Sequence, residues 1–80
     1  MFDINFIMKI EYIINRLREK GYEPLEQLAC YVLLEGNKYY ITSHGDARSV
    51  IKDLDINDIK RYLEEKGVDW SKYLGDGKYN

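Results

Sequence analysis

Between Ile4 and Lys20, apolar residues at 6, 10, 13, 14 and 17, with Ile7 beside them, form one stripe. That spacing is one face of an α-helix and does not fit the two-residue period of a strand. Asp3 stands where a cap would accept the first unpaired N–H groups. Arg16, Arg18 and Lys20 suit the negative end of the helix dipole. Gly21 occupies the position just past the end, where a left-handed residue commonly closes a helix. The longest periodic segment therefore commits the chain to helical architecture from its start.

Tyr22 and Glu23 form a short turn, and Pro24 fits the first position of a second helix, where its missing N–H costs nothing. In LEQLACYVLL, Leu25, Leu28, Ala29 and Val32 share one face with Leu33 alongside, and Cys30, Tyr31 and Leu34 lie around the rest. A helix apolar on most sides is expected to be central and largely buried. Glu35 to Lys38 end it.

Tyr39, Tyr40 and Ile41 favour extended structure, and no second strand accompanies them. A lone strand leaves backbone donors and acceptors unpaired. Pairing with residues 1 to 4 or with its own copy about a two-fold axis would satisfy it, and the second route adds stability. Ser43 through Asp46 reads as a capping signal with Asp in place of Glu, and Ala47, Val50, Ile51 and Leu54 mark a third helix. Asp55 through Asp58 repeats the signal, and Ile56, Ile59, Tyr62 and Leu63 mark a fourth, ending at Gly67. Asp69 is placed to cap a last turn carrying Trp70, Tyr73 and Leu74. The expected fold is mainly α, with four to five short helices and one short β-strand, assembled as a two-fold dimer. Residues 1–74 read as a single small helical domain and 75–80 as a frayed tail.

Eighty residues that are 45% hydrophobic make a globular chain near the lower size limit for independent folding. A core this small yields only about 3–5 kcal/mol of net stability. Cys30 is alone, so no intrachain disulfide is available, and a single thiol fits a reducing compartment. His44 is the sole histidine, which excludes zinc sites built on several His or Cys. Self-association is then the remaining support. A net charge of −2 argues against coating nucleic acid or anionic membrane over the whole surface. No run is long enough to span a bilayer, and the N-terminus lacks the features of a secretory signal. The chain reads as cytoplasmic.

Two segments invite chemistry. At TSHGDAR, Thr42 and Ser43 offer hydroxyls, His44 a titratable ring and Arg48 a fork of donors, all near a helix N-terminus. These four are candidate anion- or partner-binding residues, and a small nucleic-acid or phosphate-ligand module is the alternative function. The plainer reading is a capped helix in which Asp46 already occupies the positive end. In DLDINDIKRYLE, Asp53, Asp55, Asn57 and Glu64 fall at calcium-loop positions 1, 3, 5 and 12, but Asp58 replaces the required glycine and helical periodicity runs straight through. Two successive helices with an aspartate cap explain the acids better. Cys30 sits inside an apolar helix, no nucleophile–base set surrounds His44, and the glycines form no phosphate loop. The expectation is a non-enzyme without cofactor or metal. Eight tyrosines fit a mixture of packing and interface, with Tyr39, Tyr40 and Ile41 the candidate dimer contacts.

The stretch from Lys20 to Leu54 resembles the IreB family of small bacterial proteins. The shared pattern is GY-x-P-x-x-Q followed by ITSH-x-x-AR. It falls here on Gly21, Tyr22, Pro24, Gln27, Ile41, Thr42, Ser43, His44, Ala47 and Arg48, with further matches at Lys20, Tyr31, Leu33, Gly36, Tyr40, Ile51 and Lys52. The ending RYLEEKGVDW is also similar. The resemblance implies a small, helical, cytoplasmic, dimeric protein without known catalytic activity. It implies an association with signalling by a transmembrane serine/threonine kinase carrying PASTA repeats, as a kinase substrate that restrains cell-envelope antibiotic resistance. Family genes often sit near an alanyl-tRNA synthetase and a Holliday-junction resolvase. The family's phosphorylated threonines lie in a flexible N-terminal arm that is nearly absent here, and Thr42 is the only threonine. One extra residue near Gly36 and the turn EGNKYY also depart from the pattern, and the acidic helix after Lys52 is shorter.

Overall fold

The computed structural model describes residues 2–74. Helix α1 spans Ile4–Glu19 and α2 spans Pro24–Leu33. Two 3₁₀ turns follow, Lys38–Tyr40 and His44–Asp46, and lead into α3, Ala47–Lys52. Helix α4 covers Ile56–Glu65 and α5 covers Ser71–Leu74. Helix α1 packs on α3 and α2, and α2 packs on α4 and on the first 3₁₀ turn.

The helix ends follow local chemistry. The Asp3 carboxylate accepts from the Phe6 N–H at 2.8 Å, and Asp55 accepts from the Asn57 N–H at 2.7 Å. At the end of α1, Gly21 takes φ +83°, a left-handed value open to glycine at little cost. Its N–H reaches the Arg18 carbonyl, and the Tyr22 N–H reaches that of Leu17. This pair of bonds is the Schellman closure, and the end of α4 at Gly67 and Val68 repeats it.

One core joins these elements. Phe6, Ile10, Ile13 and Leu17 enter it from α1, Leu28, Ala29 and Tyr31 from α2, Ala47 and Ile51 from α3, and Ile59, Tyr62 and Leu63 from α4. Ile41 completes it from the segment between the 3₁₀ turns, with no exposed surface. Burying a side chain of this size contributes about 1.5–3 kcal/mol. Phe2 stacks on Phe6 with ring centroids 4.8 Å apart, and both meet the Tyr62 ring edge-on, which fastens the N-terminus to α4. No buried side-chain nitrogen or oxygen lacks a partner among the described residues.

The structure corrects the expected architecture in two places. Among the described residues there is no β-strand: residues 38 to 40 form a 3₁₀ turn and only Ile41, at φ −114° and ψ 128°, is extended. The Asn37 carboxamide accepts from the Tyr39 N–H at 3.0 Å, which bends the chain before a strand can run. Second, Ser43 and Asp46 make no side-chain cap bond to α3; Thr42 does the local bonding instead, and Asp46 adopts φ +60°. Helix α2 is central and largely buried, as its composition implies: within Pro24–Leu33 only Glu26 is exposed, while Leu34, just past its end, is 48% exposed. Residues 57 to 64 lie within α4 rather than in a calcium-type loop. The tail expected at 75–80 falls outside the described residues.

Candidate functional site

The segment from Asn37 to Arg48 crosses from α2 to α3, and two sets of side chains hold it. The inner set acts on its carbonyls. Gln27 of α2 donates from Nε2 to the Tyr40 carbonyl at 2.8 Å, and Arg48 of α3 donates from Nε to the Ile41 carbonyl at 2.7 Å. The N–H groups of Tyr40 and Ile41 close 3₁₀ bonds to the carbonyls of Asn37 and Lys38. Every backbone polar group that a partner strand would have bonded, from the Tyr39 N–H to the Ile41 carbonyl, apart from the Tyr39 carbonyl, is thus bonded within the chain.

The outer set fastens the second 3₁₀ turn to α1. The Tyr12 hydroxyl donates to the Gly45 carbonyl at 2.7 Å. His44 Nε2 lies 2.8 Å from Glu19 Oε1, and the same carboxylate takes a two-pronged bond from Arg16, at 2.8 and 2.5 Å. The Arg16 guanidinium rests 4.6 Å from the centre of the Tyr12 ring. Gly45 sits against this cluster at φ +62°, and a Cβ there would come within 2.6 Å of Arg16 Cδ and 2.9 Å of the Tyr12 oxygen. The turn approaches α1 this closely because the position has no side chain.

Arg16 first, then His44, holds the Glu19 carboxyl below its usual range by hydrogen bonding. A carboxylate with a lower value folded than unfolded contributes fully above its unfolded value and loses that contribution as pH falls through the folded one. The outer fastening is therefore expected to persist at neutral and mildly acid pH and to open only below the ordinary carboxylate range. An NMR titration following the Gly45 amide would show this, and Glu19→Gln should remove the transition. Burial raises the Cys30 thiol above its ordinary value, so little of it is thiolate at neutral pH.

The structure places the four candidate binding residues apart in role. Thr42 Oγ1 accepts from the His44 N–H at 3.1 Å. His44 turns to Glu19, and Arg48 is engaged at Nε with its guanidinium 5.4 Å from the Tyr39 ring centre. Ser43 is exposed and its side chain makes no hydrogen bond among the described residues. Of the three candidate dimer residues, Tyr39 is 74% exposed, Tyr40 half-buried and Ile41 buried. Sequence reasoning gave no site role to Tyr12, Glu19, Gln27 or Asn37. Only Gln27 had a signal, as the last residue of GY-x-P-x-x-Q.

A family model described as IreB regulatory phosphoprotein matches residues 3–69. The chain belongs to the IreB family. It is similar to a UPF0297 protein of Clostridioides difficile (strain 630), 45% identical over 56 residues, which are 70% of this chain and 61% of that relative. The match thus spans about three-fifths of the relative's length. The family's regulatory description fits a regulatory role, and no helix among the described residues is long and apolar enough to cross a membrane.

Membership gives the shared pattern a physical content. Gly21 closes α1, Pro24 starts α2, Ile41 and Ala47 fill the core, and Gln27 and Arg48 clamp the intervening carbonyls. Thr42 and His44 shape the turn and dock it. The two halves of the IreB pattern are therefore two sides of one seam. Gly21, Tyr22 and Ser43 are the pattern residues left exposed.

Proposed function

We propose that this chain is a small, non-enzymatic cytoplasmic regulator of the IreB type that acts through protein contacts as a homodimer. The family's description supports the regulatory part. The observation that carries the contact surface is a second apolar stripe on α1. Ile4, Met8 and Tyr12 are 74%, 63% and 38% exposed, four residues apart, on the face opposite the core. Large apolar side chains left in water along one line favour association.

The stripe suits a second copy because it is symmetric about Met8. Two antiparallel α1 helices crossing there bring Ile4 of each protomer against Tyr12 of the other, over about 12 Å of helix. Tyr39 lies elsewhere on the surface and is free for a different partner. The ligand-binding alternative has weaker support, because Thr42, His44 and Arg48 each spend a bond within the chain.

Sedimentation equilibrium tests the assembly. The wild-type chain should dimerise at micromolar concentrations, and Met8→Glu should sediment as a monomer with unchanged helical circular dichroism, since Met8 lies outside the core. A monomeric wild type, or a dimer indifferent to Met8→Glu, would overturn this assignment.

A further inference from the structure

We propose that Ser43 is a phosphoacceptor of this chain, modified by a serine/threonine kinase with ATP; the inference rests on reading the chain as a regulatory phosphoprotein. The sequence contains four aliphatic hydroxyls, Thr42, Ser43, Ser49 and Ser71. Thr42 is half-buried and its oxygen accepts from the His44 N–H, so modification there would break the turn that forms it. Ser71 lies beyond the matched span and its hydroxyl donates to Asp69 at 2.7 Å. Ser49 is exposed but stands in the middle of α3, which would have to unwind to enter a kinase cleft. Ser43 is exposed, makes no side-chain hydrogen bond among the described residues, and lies between the two 3₁₀ turns, two residues after the extended Ile41.

Presenting Ser43 to an enzyme requires opening the outer fastening together with two turn bonds, from the Asp46 N–H to the Ser43 carbonyl and from the His44 N–H to Thr42 Oγ1. The fastening bonds, Tyr12 to Gly45 and His44 to Glu19, are exposed and so belong to the easily opened part of the fold. The Ser43 oxygen attacks the γ-phosphorus of ATP. An Oγ–P bond forms as the bond from that phosphorus to ADP breaks, and the hydroxyl proton passes to a base on the kinase. The product carries nearly two negative charges beside His44 and three residues from Asp46. It draws the imidazole away from Glu19 and repels both acids, so the turn loosens from α1 beside Tyr12.

Phosphosite mapping by mass spectrometry of the chain recovered from its own cells, with phosphatases inhibited, tests the proposal. A phosphoryl group on Ser43, lost in Ser43→Ala and retained in Ser49→Ala, is the expected result; Ser43→Ala should melt like wild type, as no bond is removed. Phosphate on Thr42, Ser49 or Ser71 instead would overturn the site and leave the phosphoprotein reading standing. No phosphate on any hydroxyl would overturn both.

Discussion

Ile41→Ala is expected to destabilise the fold by about 2–5 kcal/mol, the range for truncating a fully buried aliphatic side chain. Ile41 has no exposed surface. A core this small yields about 3–5 kcal/mol of net stability in all, so this single change should remove most of it and shift a urea midpoint sharply. Tyr39→Ala, two residues earlier and 74% exposed, should stay within about 0.5 kcal/mol. The contrast separates a segment built into the core from one that faces a partner. The reverse ranking would mean that residues 39 to 41 face a partner.

Arg48→Ala should cost about 2–3 kcal/mol, the worth of a hydrogen bond from a charged donor together with the acceptor it leaves unpaired. Its Nε holds the carbonyl of the same Ile41, and no acidic side chain pairs with it among the described residues. Arg48→Lys should not restore the loss, because an ammonium cannot reproduce the directed Nε–H while its neighbour nitrogens lie toward Tyr39. Gln27→Ala acts on the adjacent carbonyl, so the double variant should be less than additive. Denaturant melts of the three variants check this. An Arg48→Ala chain as stable as wild type would return the guanidinium to a ligand role.

Much of this was legible in the sequence because it is local. Helices α1, α2 and α4 announce themselves by apolar spacing, Asp3 and Asp55 by their cap positions, and Pro24 and Gly21 by the backbone they permit. Tyr39 to Ile41 misled because strand propensity records a fit to a half-buried surface; Ile41 has that burial without a ladder. The satisfaction of its carbonyl comes from Arg48 seven residues later and that of Tyr40 from Gln27 thirteen residues earlier. No spacing rule signals such bonds. The capping signal at Ser43 failed for a related reason. Thr42 bonds the His44 N–H first, and Gly45 and Asp46 then turn left-handed, so α3 starts without a side-chain cap. The pattern GY-x-P-x-x-Q with ITSH-x-x-AR did carry the seam's residues, but not which atoms they bond.

The account turns on the 38–41 segment being closed within one chain, whatever the chain then assembles with. Amide hydrogen exchange at Tyr40 and Ile41, measured in wild type and in Met8→Glu over a range of concentrations, addresses this directly. Protection at both amides should be the same in monomer and dimer, since their acceptors are Asn37 and Lys38 of the same molecule. Protection that appears only on association, and vanishes on dilution, would show that a second copy supplies those bonds and would contradict it.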